Sequence, residues 1–518
     1  MKIKNKQVIF NVLLYITFLV ILIGAVLNKE GYNIDEIYTY GLANSYFENP
    51  LGLEYEDGII YEEPAEIWME YMTVPEWNDF NYGQVWVNQS KDVHPPLYYA
   101  LVHTISSFVP YSFSVWYAAA VNVAFAIMTL AVVQMLTSLL TENKTVLSMV
   151  SVAFVFCAGV ISIATFMRMY VMTMFFVTVV TYLVYWMYKK GFSLLGMVGV
   201  GIVSVMGTLT HYYFLIYLFF LCLIYGIYLL YKRVWKEVVL FILTMAGAGA
   251  VCLGVFPAMW THIFGGGYRG SASISNFTNT DLRTNLVQLR DFYQLLNKDV
   301  FGGFLTFFLI GTLCLWLLNR EKYKNDEKEP LFGWLLLLLP SIAYYLIVSR
   351  IAVYTTDRYI TPIYAVLLTG GIFGFYTVGE RLQGKKYVKP VLGTMIILMI
   401  AGGFYHCKWP YLEKWKGEFW ETAKQYQELD CVYVYEIGWK ILPAYQEADI
   451  YDSITFISVD DLQELEQVPF DDVTELIMII ESTTDVETAL DYMQKRFERL
   501  DEYEVIGMQS YTTTYRLY

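Results

Sequence analysis

Residues 8–27 read VIFNVLLYITFLVILIGAVL, twenty positions without a charge, preceded by Lys2, Lys4 and Lys6. About 20 apolar residues at ~1.5 Å each match the hydrocarbon thickness of a bilayer, so the stretch predicts a membrane-crossing helix. Similar runs follow near 113–139, 145–166, 169–188, 193–209, 212–231, 236–256, 299–318, 331–349, 359–378 and 388–405, eleven in all. The expected fold is a polytopic α-helical membrane protein. Composition agrees: of 518 residues 56% are hydrophobic, 18% aromatic and only 16% charged, with a mean hydropathy of +0.42. A soluble enzyme carries charges at about a quarter of its positions.

Lysine and arginine in the short loops set orientation. Lys2/Lys4/Lys6, Lys144, Lys189/Lys190, Lys232/Arg233/Lys236, Arg320/Lys322/Lys324/Lys328 and Arg381/Lys385/Lys386/Lys389 fall at alternate connections, which predicts a cytoplasmic N-terminus. Eleven spans then place the C-terminal tail outside. The first span has no small-residue cleavage site after it and is read as a retained anchor. Residues 95–110 are apolar but bounded by prolines, too short to cross, and are expected to form a helix lying in the outer interface.

The chain thus divides into a membrane domain, 1–409, and a tail, 410–518. Outer loops are expected at 28–112 and about 257–298. Strand-like runs at 431–436, 454–459 and 475–481 alternate in the tail with helix-like ones at 460–467 and 486–498, before a β-rich end at 503–518. That rhythm predicts a small extracytoplasmic α/β domain. It has no glycine-rich phosphate loop.

The net charge of −14 hides an asymmetry. Residues 28–94 hold 14 acids and 2 lysines (−12), and residues 410–518 hold 24 acids and 8 bases (−16), leaving +14 for the rest. A net-acidic chain with no basic stripe excludes a nucleic-acid partner. The six cysteines form no CxxC pair; Cys407 and Cys431 have the option of pairing if the tail is extracytoplasmic.

Transporters place ionisable residues near the bilayer midplane. Here the middles of the spans carry almost none, and the notable ones gather at their outer ends and in the first loop. Asn33-Ile34-Asp35-Glu36-Ile37 follows span 1 closely. Adjacent carboxylates cannot share one side of an element, so one is able to face a pocket as a general base while the other turns to a cation or the backbone. Asp92-Val93-His94-Pro95-Pro96-Leu97-Tyr98-Tyr99 puts two prolines before an aromatic helix, fixing how the chain re-enters the membrane beside His94.

Asp-Glu just after the first span, then His-Pro-Pro-Leu-Tyr-Tyr some tens of residues later, resembles the GT-C glycosyltransferases of the dolichyl-phosphate-mannose protein mannosyltransferase and aminoarabinose transferase superfamily. The likeness covers roughly 8–405 and not the tail. It implies a GT-C-like membrane glycosyltransferase that takes a sugar from a polyprenyl-phosphate donor on the extracytoplasmic side of a bacterial plasma membrane. In such enzymes the first-loop carboxylate is the catalytic base, a position held here by Asp35 with Glu36 beside it. Basic and hydroxyl groups hold the donor phosphate.

Basic residues on the outer side run against the orientation bias, so each asks for an anionic partner. Arg168 and Tyr170, in Thr165-Phe166-Met167-Arg168-Met169-Tyr170, look like the family's Arg-Met-Tyr. His211 and Tyr212 stand at the next outer junction, and Arg358 opens span 10 in Asp357-Arg358-Tyr359. With His94 and Tyr98 they form the expected donor site. The glycines 265–267 are expected to let the second loop act as a lid over the donor, with Tyr268 and Arg269 as secondary binding candidates. Relatives often carry an acid before Arg-Met-Tyr, or just within it; positions 162–167 here are Ser-Ile-Ala-Thr-Phe-Met, which favours metal-independent transfer with no cofactor over a divalent ion held by Asp35, Glu36 and His94. The expected reaction is an inverting displacement. The acceptor, whether protein, wall polymer or lipid-linked glycan, is not legible. The competing readings are a transporter or flippase of lipid-linked sugars and a non-catalytic membrane assembly subunit.

Overall fold

The computed structural model describes residues 2–265, 275–278, 281–323, 329–380, 385–468, 470, 473–497, 499–509 and 511–518. It divides into two compact units. One holds residues 1–27, 93–98 and 119–409; the other holds 28–92, 99–118 and 410–518. Most of the first loop therefore belongs with the tail rather than with the helices that precede and follow it.

The first unit is helical. Among the described residues, eight helices are long and apolar enough to cross a membrane: Lys6–Leu27, Val115–Leu140, Tyr170–Lys190, Tyr213–Tyr231, Trp235–Val255, Phe332–Ile351, Thr361–Glu380 and Val388–His406. This is a multi-pass membrane protein. The other three expected runs depart from single full-length helices for local reasons. The run 145–166 is a pair, Lys144–Val155 and Ala158–Ala164, bent by 46° where Cys157 takes an extended backbone. The run 193–209 yields the short helix Leu194–Thr208, started by the Ser193 side chain accepting from Gly196 N–H. In 299–318, Gly302 and Gly303 have φ of 57° and 90°, which breaks the chain out of helical geometry and delays the apolar helix to Leu305. The segment 95–110 contains the helix Leu97–Ser107, eleven residues long.

Burial sorts the spans. Of the most apolar windows of Tyr170–Lys190 and Thr361–Glu380, 72% is buried inside the protein, against 17% for Lys6–Leu27 and Trp235–Val255. The exposed leucines, valines and isoleucines of the outer helices, such as Leu195 and Ile202, suit a hydrocarbon solvent. All backbone polar groups in a helix are satisfied internally, which such a solvent demands. The two central helices matter most here, because Arg168 and Arg358 lie just before their first turns.

The second unit is built on a six-stranded mixed sheet ordered β1-β3-β2-β4-β6-β5. Its strands are β1 (Ile60–Tyr61), β2 (Cys431–Tyr435), β3 (Ile454–Ser458), β4 (Leu476–Glu481), β5 (Tyr503–Met508) and β6 (Thr512–Leu517). β2, β3 and β4 are mutually parallel, while β1, β5 and β6 add antiparallel edges. All six residues of β4 are buried, as expected of a central strand covered on both faces. One face packs Val432, Val434, Met478 and Ile480 against Leu490 and Met493 of the helix Val486–Arg496. The helix-like run 460–467 is 3-10 rather than α, within Val459–Gln467.

The first loop completes this unit. Besides β1, its helix Ala65–Met72 sends Trp68, fully buried, against Phe456 at 5.9 Å between ring centres. The Trp68 indole N–H donates to Leu442 O at 3.3 Å. Asp57 accepts from Tyr435 Oη at 2.8 Å and from Ser458 N–H at 3.0 Å. All six cysteines are free, so Cys407 and Cys431 do not pair. Cys431 is enclosed within β2, where burial holds its thiol well above the usual range and leaves it a small apolar filler.

Candidate functional site

In the membrane unit the basic residues singled out by sequence come together. The bent pair of helices ends at Thr165, and the turn 166–169 leads into the central helix Tyr170–Lys190. Arg168, only 3% exposed, reaches His94 with 3.3 Å between Nη2 and Nε2. His94 faces His211 at 6.2 Å between ring centres, and His211 lies 5.4 Å from Tyr170 and 5.0 Å from Tyr213. The Arg358 guanidinium rests over the rings of Phe166 and Tyr359, at 5.7 and 5.3 Å. Tyr359 in turn touches Tyr170 and Tyr213. Four aromatic rings thus wall a cluster of two guanidiniums and two imidazoles.

Tyr98 and Tyr212, expected at the ligand, each have a hydrogen-bond partner within the protein. Tyr98 is fully buried and donates to Asn122 Oδ1 at 3.1 Å, while Asn122 Nδ2 donates to Phe166 O at 2.6 Å and Ala164 O at 3.3 Å. The His-Pro-Pro-Leu-Tyr segment therefore braces the turn that presents Arg168. Leu97 N–H donating to Leu209 O at 3.0 Å ties it also to the His211 junction. Tyr212 Oη pairs with His262 Nδ1 at 2.8 Å. Tyr268 and Arg269 lie outside the described residues.

The electrostatics favour an anion. His211 accepts from Tyr213 N–H through Nδ1 at 3.0 Å, so the neutral ring carries its proton on Nε2 as a donor. Burial, then the charges of His94, Arg168 and Arg358, hold its pKa well below the usual histidine value. Two acids stand nearby. Asp357 accepts from the backbone N–H of Arg358 at 2.9 Å. Asp299, at the end of the helix Leu282–Asp299, is pushed up to about 8 by burial and by Asp357, partly offset by Lys298. Gly159 admits it: a Cβ there would meet Asp299 Cβ at 2.9 Å and Tyr364 at 3.0 Å.

Sequence reasoning missed Phe166, Tyr213, Tyr359, Asn122 and Asp299. The three aromatics had a signal, since each lies within two residues of Arg168, His211 or Arg358. Asp299 had none, because its proximity to Asp357 comes only from packing.

The acidic pair belongs to the second unit. Asn33 caps the helix Ile34–Asn44 and forms a reciprocal box with Glu36. Glu36 accepts from Asn33 N–H at 2.7 Å and from Lys29 Nζ at 2.9 Å, with both side chains of that ion pair buried. Lys29 also donates to Tyr411 O at 2.5 Å. The two neighbours have separated as their adjacency requires: Glu36 is locked into an ion pair and a cap, and Asp35 stays partly exposed. Among the described residues no three His, Cys, Asp or Glu side chains gather as a metal site.

No family model and no characterised protein matches the chain by sequence. Solved structures do match in shape. ArnT from Cupriavidus metallidurans in the apo state is similar over 93% of this chain and 96% of its own, with 11% identity and a TM-score of 0.45. An oligosaccharyltransferase from Archaeoglobus fulgidus, in complex with Zn and sulfate, is similar over 93% and 69%, with 11% identity and a TM-score of 0.48. The archaeal oligosaccharyltransferase AglB from the same organism, with an inhibitory peptide and a dolichol-phosphate, is similar over 92% and 71%, with 9% identity and a TM-score of 0.43. The likeness is remote in sequence and loose in superposition, so each residue's role here has to come from its own surroundings.

Proposed function

We propose that this protein is a membrane glycosyltransferase that moves a sugar from a polyprenyl-phosphate donor to an acceptor on the extracytoplasmic side. The observation that carries the reading is the aromatic-walled cluster of Arg168, Arg358, His94 and His211 beside the two most buried membrane helices. A guanidinium offers a phosphate paired N–H donors in fixed geometry, and low-dielectric walls strengthen that attraction. A lipid phosphodiester offers these donors an anion and, through its tail, an apolar body for the surrounding helices.

The reaction is an inverting single displacement. Asp35 takes the acceptor's proton as the acceptor attacks C1, the C1–O bond to phosphate breaks, and the electron pair leaves on the phosphate oxygen. Arg168, Arg358 and the Nε2–H of His211 stabilise that developing charge with no metal. Glu36 positions Asp35 through the cap of its helix rather than taking the proton. Tyr98 positions Arg168 through Asn122.

The test is transfer from labelled polyprenyl-phosphate sugar in membranes. Asp35→Asn is expected to abolish turnover while the protein remains folded. Undiminished turnover removes Asp35 from the mechanism. Label that crosses proteoliposomes still attached to its lipid identifies a transporter instead.

A further inference from the structure

A cavity of about 590 Å³ opens in the second unit, lined in part by Tyr32, Phe113, Trp420, Tyr445, Glu421 and Asp449. Its size is that of a small-molecule site, ~300–1,000 Å³. Its walls come from three stretches of chain far apart in sequence. Tyr32, Phe113 and Tyr445 form one aromatic corner, with ring centres 5.3, 6.0 and 6.5 Å apart. The corner is held rigidly, since Gln446 Oε1 accepts from Tyr32 N–H at 3.1 Å. Opposite stands the helix Trp415–Ala423, which contributes Trp420. Gly417 of that helix also lines the space, and a Cβ there would collide with the Glu30 carboxylate.

Rigid aromatic faces interspersed with carboxylates match one ligand chemistry well. A sugar ring has an apolar C–H face that stacks on an aromatic ring, and an equatorial rim of hydroxyls that donate to carboxylates. The cavity carries three acids, Glu30, Glu421 and Asp449, against Lys424. Lys424 is already paired with Glu421 at 3.3 Å. The excess negative charge repels phosphate, uronate or sialate and accepts a neutral or amino sugar. An ammonium group gains further from the aromatic faces. Burial raises the pKa of Asp449, as suits an acid waiting for hydroxyl or ammonium donors to replace water.

We infer that this cavity is a saccharide subsite holding a neutral or amino sugar of the acceptor, so that the acceptor is a glycan. Its role as an acceptor site rests on the glycosyltransferase reading; the binding itself does not.

Binding is measured on the full chain in nanodiscs, by tryptophan fluorescence and saturation-transfer NMR. The probes are chitotriose, its de-acetylated cationic form, trigalacturonate and a Lys/Tyr-rich peptide. Saturable binding of either of the first two, at least tenfold weaker in both Trp420→Ala and Gly417→Ala, supports the site, provided trigalacturonate fails to compete. Asp449→Asn should weaken the cationic trimer more than chitotriose. Preference for trigalacturonate or for the peptide, or affinity unchanged in the two wall variants, overturns it. Donor-dependent transfer to a glycan that survives Trp420→Ala with unchanged acceptor KM sinks this inference alone. Saccharide binding without any transfer sinks the enzyme reading and leaves the site standing as a lectin-like one.

Discussion

Charge is concentrated twice in this molecule, and the two concentrations are handled in opposite ways. In the second unit Lys29 and Glu36 neutralise each other at 2.9 Å, and the remaining capacity of each is taken up by Tyr411 O and Asn33 N–H. That is how a folded protein makes buried charge tolerable. In the membrane unit His94, Arg168 and Arg358 surround His211, whose pKa is held well below the usual value by burial first and then by their charges. Cations gathered around a perturbed histidine make a candidate functional site. The ion pair serves the fold, and the cationic cluster is the proposed ligand site.

Substitutions can break that contrast. The largest effect is expected from Lys29→Met, which strands Glu36 in a buried setting; losing one partner of such a pair costs ~3–5 kcal/mol. The thermal midpoint should fall sharply, and Lys29→Met with Glu36→Gln should recover most of it. An unchanged midpoint in the single variant would mean that the pair is not buried in solution. Next is Arg168→Ala, expected to lower kcat by ~10²–10³, the loss typical of one transition-state donor. Its midpoint should fall less than that of Lys29→Met. Lost stability with normal kcat would place Arg168 with the structural pair and dissolve the contrast.

A pH profile sharpens it further. Asp299 has its folded pKa raised to about 8, so the native state holds a proton that the unfolded chain gives up above the ordinary carboxylate range. Its contribution is full below about pH 4 and is lost progressively as pH rises from there to 8. Asp299→Asn should match the wild type near pH 4 and melt increasingly higher than it as pH rises to 8, by ~2–4 °C for each kcal/mol. Parallel curves from pH 4 to 8 refute this. The smallest effect belongs to Tyr98→Phe, which removes one buried hydrogen bond worth ~1 kcal/mol. It should reduce kcat severalfold by loosening the Arg168 turn, with donor KM little changed.

Much of the protein was legible because its signals are local. Runs of apolar residues located every span, and alternating patterns located β2, β3 and β4 in the tail. The basic side chains stood out because they lie at the outer ends of spans, against the charge bias that sets orientation. Failures came where neighbours distant in the chain decide. The run 145–166 looks continuous, but it bends at Cys157, whose Sγ reaches Asp299 O at 3.6 Å. The tail looked self-sufficient, yet its sheet takes β1 and the Trp68 helix from residues 60–72.

By itself, then, the amino-acid order determined that this is a multi-pass helical protein with an α/β tail, and which cations and carboxylates are out of place. Hydropathy and periodicity act over a few residues, so they survive in one dimension. Only the tertiary structure decided that Glu36 is spent on Lys29, that Tyr98 braces a turn, that Asp299 meets Asp357, and that Tyr32, Phe113 and Tyr445 enclose a cavity. Each of those depends on segments tens to hundreds of residues apart being packed to contact, and no local pattern encodes such a meeting.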